Sequence, residues 1–173
     1  MMKKAEQAAM EILRKFRVDK APVPVDQIAK KLGATLQYEP FEGDEDVSAM
    51  LFRDDKRIII GVNSAHARTR QRYSIAHECG HLQLHKGKMY VDARVNFRDA
   101  LSSQAVDSEE IEANAFAAEL LMPRSFVLTE LKKAVEKHKS HDAEMIADVL
   151  ARTFEVSKQA MEFRLRNLGL FVE

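Results

Sequence analysis

The stretch SIAHECGHLQLH, residues 74–85, holds three of the six histidines of the chain. His77 and His81 are four residues apart, as are His81 and His85, and Glu78 directly follows the first histidine. If the stretch is helical, side chains four residues apart share one face, about 5–6 Å apart at Cβ. Two imidazoles in that arrangement can converge on one metal ion. The glutamate then lies to the side, where it cannot ligate but can reach a metal-bound water.

This stretch belongs to a longer predicted helix that packs inside the domain. Asn63 or Ser64 is its predicted N-cap, and Gly87 is its predicted stop. Cys79 faces about 160° away from either ligand histidine on a helical wheel, so we expect it in the core. Gly80 costs about 1 kcal/mol relative to alanine inside a helix, and a close approach by another backbone would explain its use. An apolar stripe supports burial of the helix: Ile75, Ala76, Cys79 and Leu82.

A third metal ligand is expected in EEIEANAFAAELLMP, residues 109–123. On a helical wheel, Glu110 heads a stripe of small and apolar residues that points inward, where carboxylates are rare unless they are paired or bind metal. Asn114, one turn later, can hydrogen-bond a ligand ring nitrogen and fix its tautomer. Three positions define the stripe below Glu110: Asn114, Ala117 and Leu121. The other glutamates are predicted to be solvent-exposed: Glu109, Glu112 and Glu119.

The composition is that of a soluble globular protein. The 173 residues, 46% hydrophobic and 31% charged, suffice for one domain with a buried core. A net charge of zero gives no general attraction to nucleic acid or an anionic membrane, and no apolar run approaches the roughly 20 residues of a membrane span. One cysteine excludes an internal disulfide, and the amphipathic start does not resemble a signal peptide. We therefore expect a cytoplasmic protein.

The remaining patterns predict a single α+β domain over residues 1–173. A small three-stranded antiparallel sheet is expected to pack with the metal helix, and the second strand to expose an edge where an extended peptide can add. A linking loop should border the cleft and could gate it. The predicted parts are the sheet and metal helix at about 1–87, the loop at about 88–108 and a helical part at about 109–173. The predicted strands are 35–40, 48–53 and 57–62, and the later helices are 109–122, 125–137, 142–153 and 157–167.

The motif RYSIAHECGHLQLH, followed some 30 residues later by EEIEANAFAAELLMP and then by FEVSKQAMEFRLRNLGL, resembles the ImmA/IrrE family of zinc metallopeptidases. The resemblance implies that His77 and His81 bind zinc, or alternatively manganese, that Glu78 is the catalytic acid/base, and that Glu110 is the third ligand, as in gluzincins. Gluzincins often have aspartate four residues after that glutamate, whereas this chain has the neutral Asn114. The family includes phage and mobile-element proteases that cleave helix-turn-helix repressors, so a repressor is the expected partner.

Further candidates could contact the substrate or stabilise an oxyanion: Tyr73, His85, Tyr90 and Arg164. His85 lies about 12 Å along the helix axis from His77 and is expected at the cleft edge or surface. It is not the third ligand of a metzincin, because that pattern requires glycine at 84 and histidine at 87, where this chain has Leu84 and Gly87.

Two other functions compete with hydrolysis. The segment AEMIADVLARTFEVSKQAMEFRLRNLG resembles a helix-turn-helix, which would suit a metal-sensing DNA-binding regulator. Residues 132–168 contain eight Lys/Arg and six Asp/Glu, however, and this net charge of +2 is weak for phosphate binding, so no direct nucleic-acid binding is expected. An adaptor that holds zinc without cutting is the third possibility, but a structural zinc site needs no general base such as Glu78.

Overall fold

The computed structural model describes residues 4–43, 46–93, 108–139 and 142–170, and these ranges contain seven helices and four strands. The helices are α1 (Lys4–Lys15), α2 (Val25–Lys31), α3 (Arg68–Leu84), α4 (Ser108–Leu121), α5 (Arg124–His138), α6 (Ala143–Phe154) and α7 (Lys158–Asn167). The strands are β1 (Ala34–Glu39), β2 (Val47–Arg53), β3 (Ile58–Asn63) and β4 (Met89–Ala93). The α+β class and the helical second half are confirmed.

The sheet differs from the predicted one in strand number and direction. Its order is β1-β3-β2-β4, with β1 parallel to β3 and β2 antiparallel to both of its neighbours. The predicted hairpin of β2 and β3 is present, and its turn is closed by the Asp54 carboxylate, which accepts from the backbone N–H groups of Lys56 and Arg57. β1 pairs with β3 on the far side of this hairpin, and this choice of neighbour makes the sheet mixed.

The fourth strand lies where the sequence predicted a loop. Met89 and Val91 are exposed, whereas Tyr90 and Asp92 are partly buried, so the polarity of the alternating residues is inverted relative to an ordinary amphipathic strand. β4 pairs with β2 and covers the edge that was predicted to be free. The prediction of a peptide-binding edge on β2 is therefore wrong, and within the described ranges β1 and β4 form the margins of the sheet. The rest of the predicted loop, residues 94–107, lies outside the described residues.

Helix α3 runs from Arg68 to Leu84, so both of its predicted ends are wrong. Asn63 is the last residue of β3, and its side chain donates to the Val47 carbonyl (3.0 Å) and accepts from the Ala65 N–H (3.0 Å). At the other end, the Arg53 guanidinium of β2 donates to the carbonyl oxygens of the last turn and the residues after it: Leu82 (3.2 Å), Gly87 (2.7 Å) and His85. The contact with Leu82 satisfies a carbonyl of the last turn that lacks an intrahelical partner, and the three contacts together fix the end of α3 against the sheet.

A buried ion pair joins α4 to α7. Glu119, predicted to be solvent-exposed, is only 4% exposed, and its carboxylate binds the guanidinium of Arg164. The Arg164 Nε donates to the Met122 carbonyl (3.0 Å), and the Arg124 N–H donates to the Glu119 carboxylate (3.2 Å). The helical wheel gave the wrong exposure because it contains no information about Arg164 of α7, whose guanidinium reaches the Glu119 carboxylate across the space between the two helices. No helix within the described ranges combines the length and the apolar character that crossing a membrane requires.

Candidate metal centre

Three ligand atoms from α3 and α4 converge on one point. The Nε2 atoms of His77 and His81 are 3.0 Å apart. Each lies 3.1 Å from a carboxylate oxygen of Glu110, His77 from Oε2 and His81 from Oε1. A tetrahedral zinc ion with bonds of about 2.0–2.1 Å holds its ligand atoms about 3.3 Å apart, close to this triangle. The two histidines are buried and Glu110 is half-buried, so the donor set fits a metal ion that is open to a substrate on one side.

The triangle forms because α3 and α4 cross at almost backbone contact. A Cβ atom added to Gly80 would lie 3.0 Å from the Ala113 Cα and 3.1 Å from the Ala113 oxygen. This confirms the predicted close approach to Gly80, which lies between the two ligand histidines, as Ala113 lies between Glu110 and Asn114. The glycine therefore sets the spacing between the helices that supply the ligands.

Asn114 lies where it can orient the first ligand. Its Oδ1 is 3.1 Å from the Nδ1 of His77, and the Tyr73 hydroxyl also donates to it (3.1 Å). An oxygen acceptor at this point favours a proton on Nδ1 of His77, so Nε2 is the nitrogen that would present its lone pair to a bound metal ion. Burial raises the pKa of the Tyr73 hydroxyl, which remains a neutral donor.

Electrostatic interactions within the ligand triangle shift the pKa values of His77 and Glu110 in opposite directions. Burial lowers the pKa of His77, but its hydrogen bond to Glu110 and the negative charges of Asp92 and Glu78 outweigh this effect and raise the pKa. The hydrogen bonds from His77 and His81 in turn lower the pKa of Glu110 well below its usual range. Glu110 is thus an ionised carboxylate, the form that binds a cation.

Glu78 is a buried carboxyl group in an unusual environment. It is fully buried, and neither of its carboxylate oxygens has a hydrogen-bond partner among the residues that the structure describes. Burial raises the pKa of Glu78 to about 8; the positive charge of His77 opposes this rise, and the charges of Asp92 and Glu110 add to it. A carboxyl group kept without a partner in the interior is costly, and such groups are concentrated at catalytic sites.

The other sequence candidates lie in different places. Tyr90 stacks on the ring of His81 (centroids 4.0 Å apart, planes at 21°), and its hydroxyl donates to Glu109 (3.0 Å). His85 is 8% exposed, so its prediction as a surface residue is wrong; its Nδ1 lies 3.0 Å from the Nδ1 of His81. Arg164 is held by the Glu119 carboxylate and the Met122 carbonyl, which removes it from the candidate oxyanion donors.

The helical wheel predicted that Glu109 and Glu112 are solvent-exposed, but both carboxylates contact neighbouring side chains. Tyr90 binds Glu109, and the His85 Nε2 is 3.2 Å from the Glu112 Oε2. The first turn of α4 lies beside the end of α3, so long carboxylate side chains that are off the inward stripe still reach it. A second group with metal-ligand chemistry results, since ligand atoms of His81, His85 and Glu109 lie within 4.8 Å of one another.

Sequence reasoning missed Asp92. It lies on β4, accepts a hydrogen bond from the Ser74 hydroxyl (2.7 Å), and its charge affects both His77 and Glu78. The available signal was the alternation in MYVDA, residues 89–93, which would have placed the aspartate on the same face as Tyr90.

A family comparison agrees with this geometry. The sequence model of peptidase family M78, described as the IrrE N-terminal-like domain, matches residues 29–166. That range includes β1 to β4, all the candidate ligands and almost all of α7. The match supports a metallopeptidase-type function, and the groups of histidine and glutamate side chains described above could bind the metal. A search among curated proteins found no match to the chain.

Proposed function

The chain belongs to the IrrE N-terminal-like peptidases, and from this premise we propose that it is a zinc-dependent endopeptidase that cleaves one protein substrate at a specific site. The observation that carries the proposal is the convergence of three ligand atoms beside a buried carboxyl group, Glu78, that has no hydrogen-bond partner among the described residues. His77, His81 and Glu110 would hold the metal. Zinc is favoured over manganese because two imidazoles and one carboxylate are a common catalytic zinc set.

The chain's own residues supply proton transfer and orientation. When bound, zinc contributes Lewis-acid chemistry, polarising the scissile carbonyl and lowering the pKa of water to about 7. In its ionised form Glu78 accepts the proton of the attacking water and gives it to the nitrogen of the leaving amine as the C–N bond breaks; a bound cation beside it favours that ionised form. Asn114 fixes the ring of His77 through Nδ1. Tyr73 and Tyr90 remain the candidates for contacting the oxyanion or the substrate.

The substrate is proposed to bind in extended form along β4. Within the described residues β2 has a neighbour on both sides and β4 forms the sheet margin on the side of the candidate site. The charge of Asp92 on β4 affects His77 and Glu78. Met89 and Val91 are 62% and 48% exposed and are available to a partner. Main-chain pairing at a sheet edge gives affinity, and pockets for alternate side chains give specificity. The family resemblance supplies the proposed identity of the substrate, a helix-turn-helix repressor whose cleavage relieves repression.

Metal analysis tests the ligand assignment. Wild-type protein should contain one zinc per chain after loading and dialysis, and the double variant His77→Ala, His81→Ala should contain none. Stoichiometric zinc in the double variant would show that the metal lies elsewhere.

A Glu78→Gln variant tests the reaction. Glutamine keeps the shape of the side chain but cannot accept and return the proton, so zinc content and fold should be retained while cleavage is lost. The matched control is Glu136→Gln, the same change at an exposed glutamate of α5, which should cleave like the wild type. Wild-type turnover by Glu78→Gln would remove this residue from the mechanism.

The substrate proposal needs its own assay. Zinc-loaded protein is incubated with unfolded casein and with a helix-turn-helix repressor encoded beside its gene, and fragments are mapped by mass spectrometry. One discrete, Glu78-dependent cut in the repressor supports the proposal, whereas rapid casein degradation with an intact repressor contradicts it. A gel-shift measurement on the same preparation tests the competing function, since a DNA-binding regulator would retard DNA without cutting protein.

A further inference from the structure

Both ring nitrogens of His81 have partners, and only one of them belongs to the ligand triangle. Nε2 faces His77 and Glu110, while Nδ1 lies 3.0 Å from the Nδ1 of His85. The remaining nitrogen of His85, Nε2, is 3.2 Å from the Oε2 of Glu112. His81 and His85 are both buried, so the contact between their rings is shielded from water, whereas the side chain of Glu112 at the end of the series is 42% exposed. The mechanism above gives no role to His85 or Glu112.

The positions of the protons along this series follow from the chemistry of imidazole. A neutral imidazole carries one proton, and a metal binds the nitrogen that lacks it. If Nε2 of His81 ligates, its proton is on Nδ1 and is donated to the Nδ1 of His85, which must then be the unprotonated nitrogen. His85 therefore carries its own proton on Nε2 and donates it to the carboxylate of Glu112. Each donor thus has one acceptor, and the direction of hydrogen-bond donation is fixed from His81 through His85 to Glu112.

We propose that His85 and Glu112 are positioning residues, which fix the tautomer and the ring orientation of His81 for metal binding through this hydrogen-bonded chain. The proposal rests on the proposed function, since it requires Nε2 of His81 to bind the metal. It makes His85 a counterpart of Asn114, which orients His77 in the same way from the other side. Partners of this kind typically contribute a factor of about 10–100 to metal affinity.

The surrounding contacts keep the chain in place. The backbone N–H of His85 donates to the His81 carbonyl (3.1 Å), and the Arg53 guanidinium donates to the His85 carbonyl, so the backbone of His85 is held on both sides. The ring of Tyr90 stacks on His81 and restricts its rotation. Glu112 is two residues from Glu110, so α4 supplies both the third ligand and the end of the chain.

The same residues allow a different explanation, a second metal ion bound by His81, His85 and Glu109. With the first site occupied, His81 could bind a second ion only as a doubly deprotonated imidazolate. A hydrogen bond between the two Nδ1 atoms requires no such deprotonation and accounts for their separation of 3.0 Å. The two explanations differ in the expected role of Glu109, which takes part in the second-ion arrangement but not in the proposed chain.

The test measures zinc affinity by competition with a chromophoric chelator. Glu112→Ala and His85→Leu should each weaken zinc binding about 10–100-fold. Glu112→Gln, which keeps a neutral oxygen acceptor, should be affected less than Glu112→Ala, and Glu109→Gln should bind like the wild type. Circular dichroism and chemical denaturation of the metal-free proteins check that each variant folds.

Nitrogen-15 NMR of the histidine rings provides a readout that does not depend on any variant. In zinc-loaded wild-type protein, His81 should be protonated at Nδ1 and His85 at Nε2. The opposite tautomer at His85, or wild-type zinc affinity in Glu112→Ala, overturns the chain while leaving the zinc site intact. A second zinc ion that is lost in both His85→Leu and Glu109→Gln also overturns it. A wild-type protein that binds no zinc overturns this inference and the proposed function together.

Discussion

Replacing Gly80 by alanine tests whether the crossing of α3 and α4 sets the geometry of the metal centre. Helix propensity alone favours the change by about 1 kcal/mol. The new methyl group, however, would lie 3.0 Å from the Cα and 3.1 Å from the oxygen of Ala113, and 3.3 Å from the Cβ of Phe116. The closest atoms are backbone atoms, which cannot rotate away, so α4 must move by a few tenths of an ångström.

The expected magnitude follows from these opposing effects. Overpacking costs about 1–3 kcal/mol, and contact with a second helix backbone places Gly80→Ala toward the upper end of that range. After the gain in propensity, the free energy of unfolding should fall by about 1–2 kcal/mol, which is a decrease of several degrees in Tm. Zinc affinity should also fall, because the displaced segment of α4 holds both Glu110 and Asn114.

The assay compares Gly80→Ala with Gly61→Ala. A Cβ atom at Gly61 has its nearest neighbour at 3.6 Å, an ordinary van der Waals contact with the Phe41 ring, so the control makes the same chemical change without overpacking. Chemical denaturation of the metal-free proteins gives stability, and chelator competition gives zinc affinity. A Gly80→Ala protein that is as stable as the wild type and binds zinc equally well would refute the argument that this contact sets the ligand spacing.

Three further changes have definite expected outcomes. Removing the metal with a chelator should lower the Tm but preserve the far-ultraviolet circular dichroism, since a ligand present at 100 times its Kd adds about 2.7 kcal/mol; an unchanged Tm would indicate no metal in the folded protein. Arg164→Leu should cost about 3–5 kcal/mol in a denaturation assay because it leaves Glu119 charged and buried, and adding Glu119→Leu should recover part of this loss; a double variant less stable than the single one would contradict the explanation. Burial raises the pKa of Asp26, but hydrogen bonds from Arg68 and Tyr38 lower it more. The free energy of unfolding of the wild type should therefore exceed that of Asp26→Asn fully above about pH 4, and this difference should disappear as the pH falls through the lowered pKa. A difference in stability that is independent of pH from 2 to 7 would contradict this.

The helices were predictable because their signals are local. Each of the four helices after residue 107 begins and ends within one residue of its predicted bounds, and the side chains of Asp142 and Ser157 cap the N-termini of α6 and α7. The bounds of α3 were not predictable in this way. Its true start follows a turn stabilised by the Asn63 side chain. Its end is fixed by Arg53, a residue of β2 that is far from the helix in sequence, so no local pattern indicates the contact.

The sheet was harder to predict because hydropathy identifies a strand but not its neighbours. β1 pairs with β3 across an intervening strand in the sequence, and β4 exposes apolar residues while facing polar ones inward. In the candidate site, helical periodicity brought Glu110 together with the two histidines. The same periodicity misplaced Glu112 and Glu119, because a wheel describes one helix and contains no information about which neighbouring helix covers its other faces.

The position of Cys79 gives the protein a built-in chemical reporter. This single cysteine lies on α3 between the two ligand histidines, is completely buried, and has a thiol whose pKa is raised by that burial. A thiol reagent can therefore modify it only after the helix opens locally, and the labelling rate relative to a free thiol measures the free energy of that opening. A ligand that binds only the closed helix slows the labelling by the factor 1 + [L]/Kd. Metal occupancy can thus be followed in the native chain without introducing any probe.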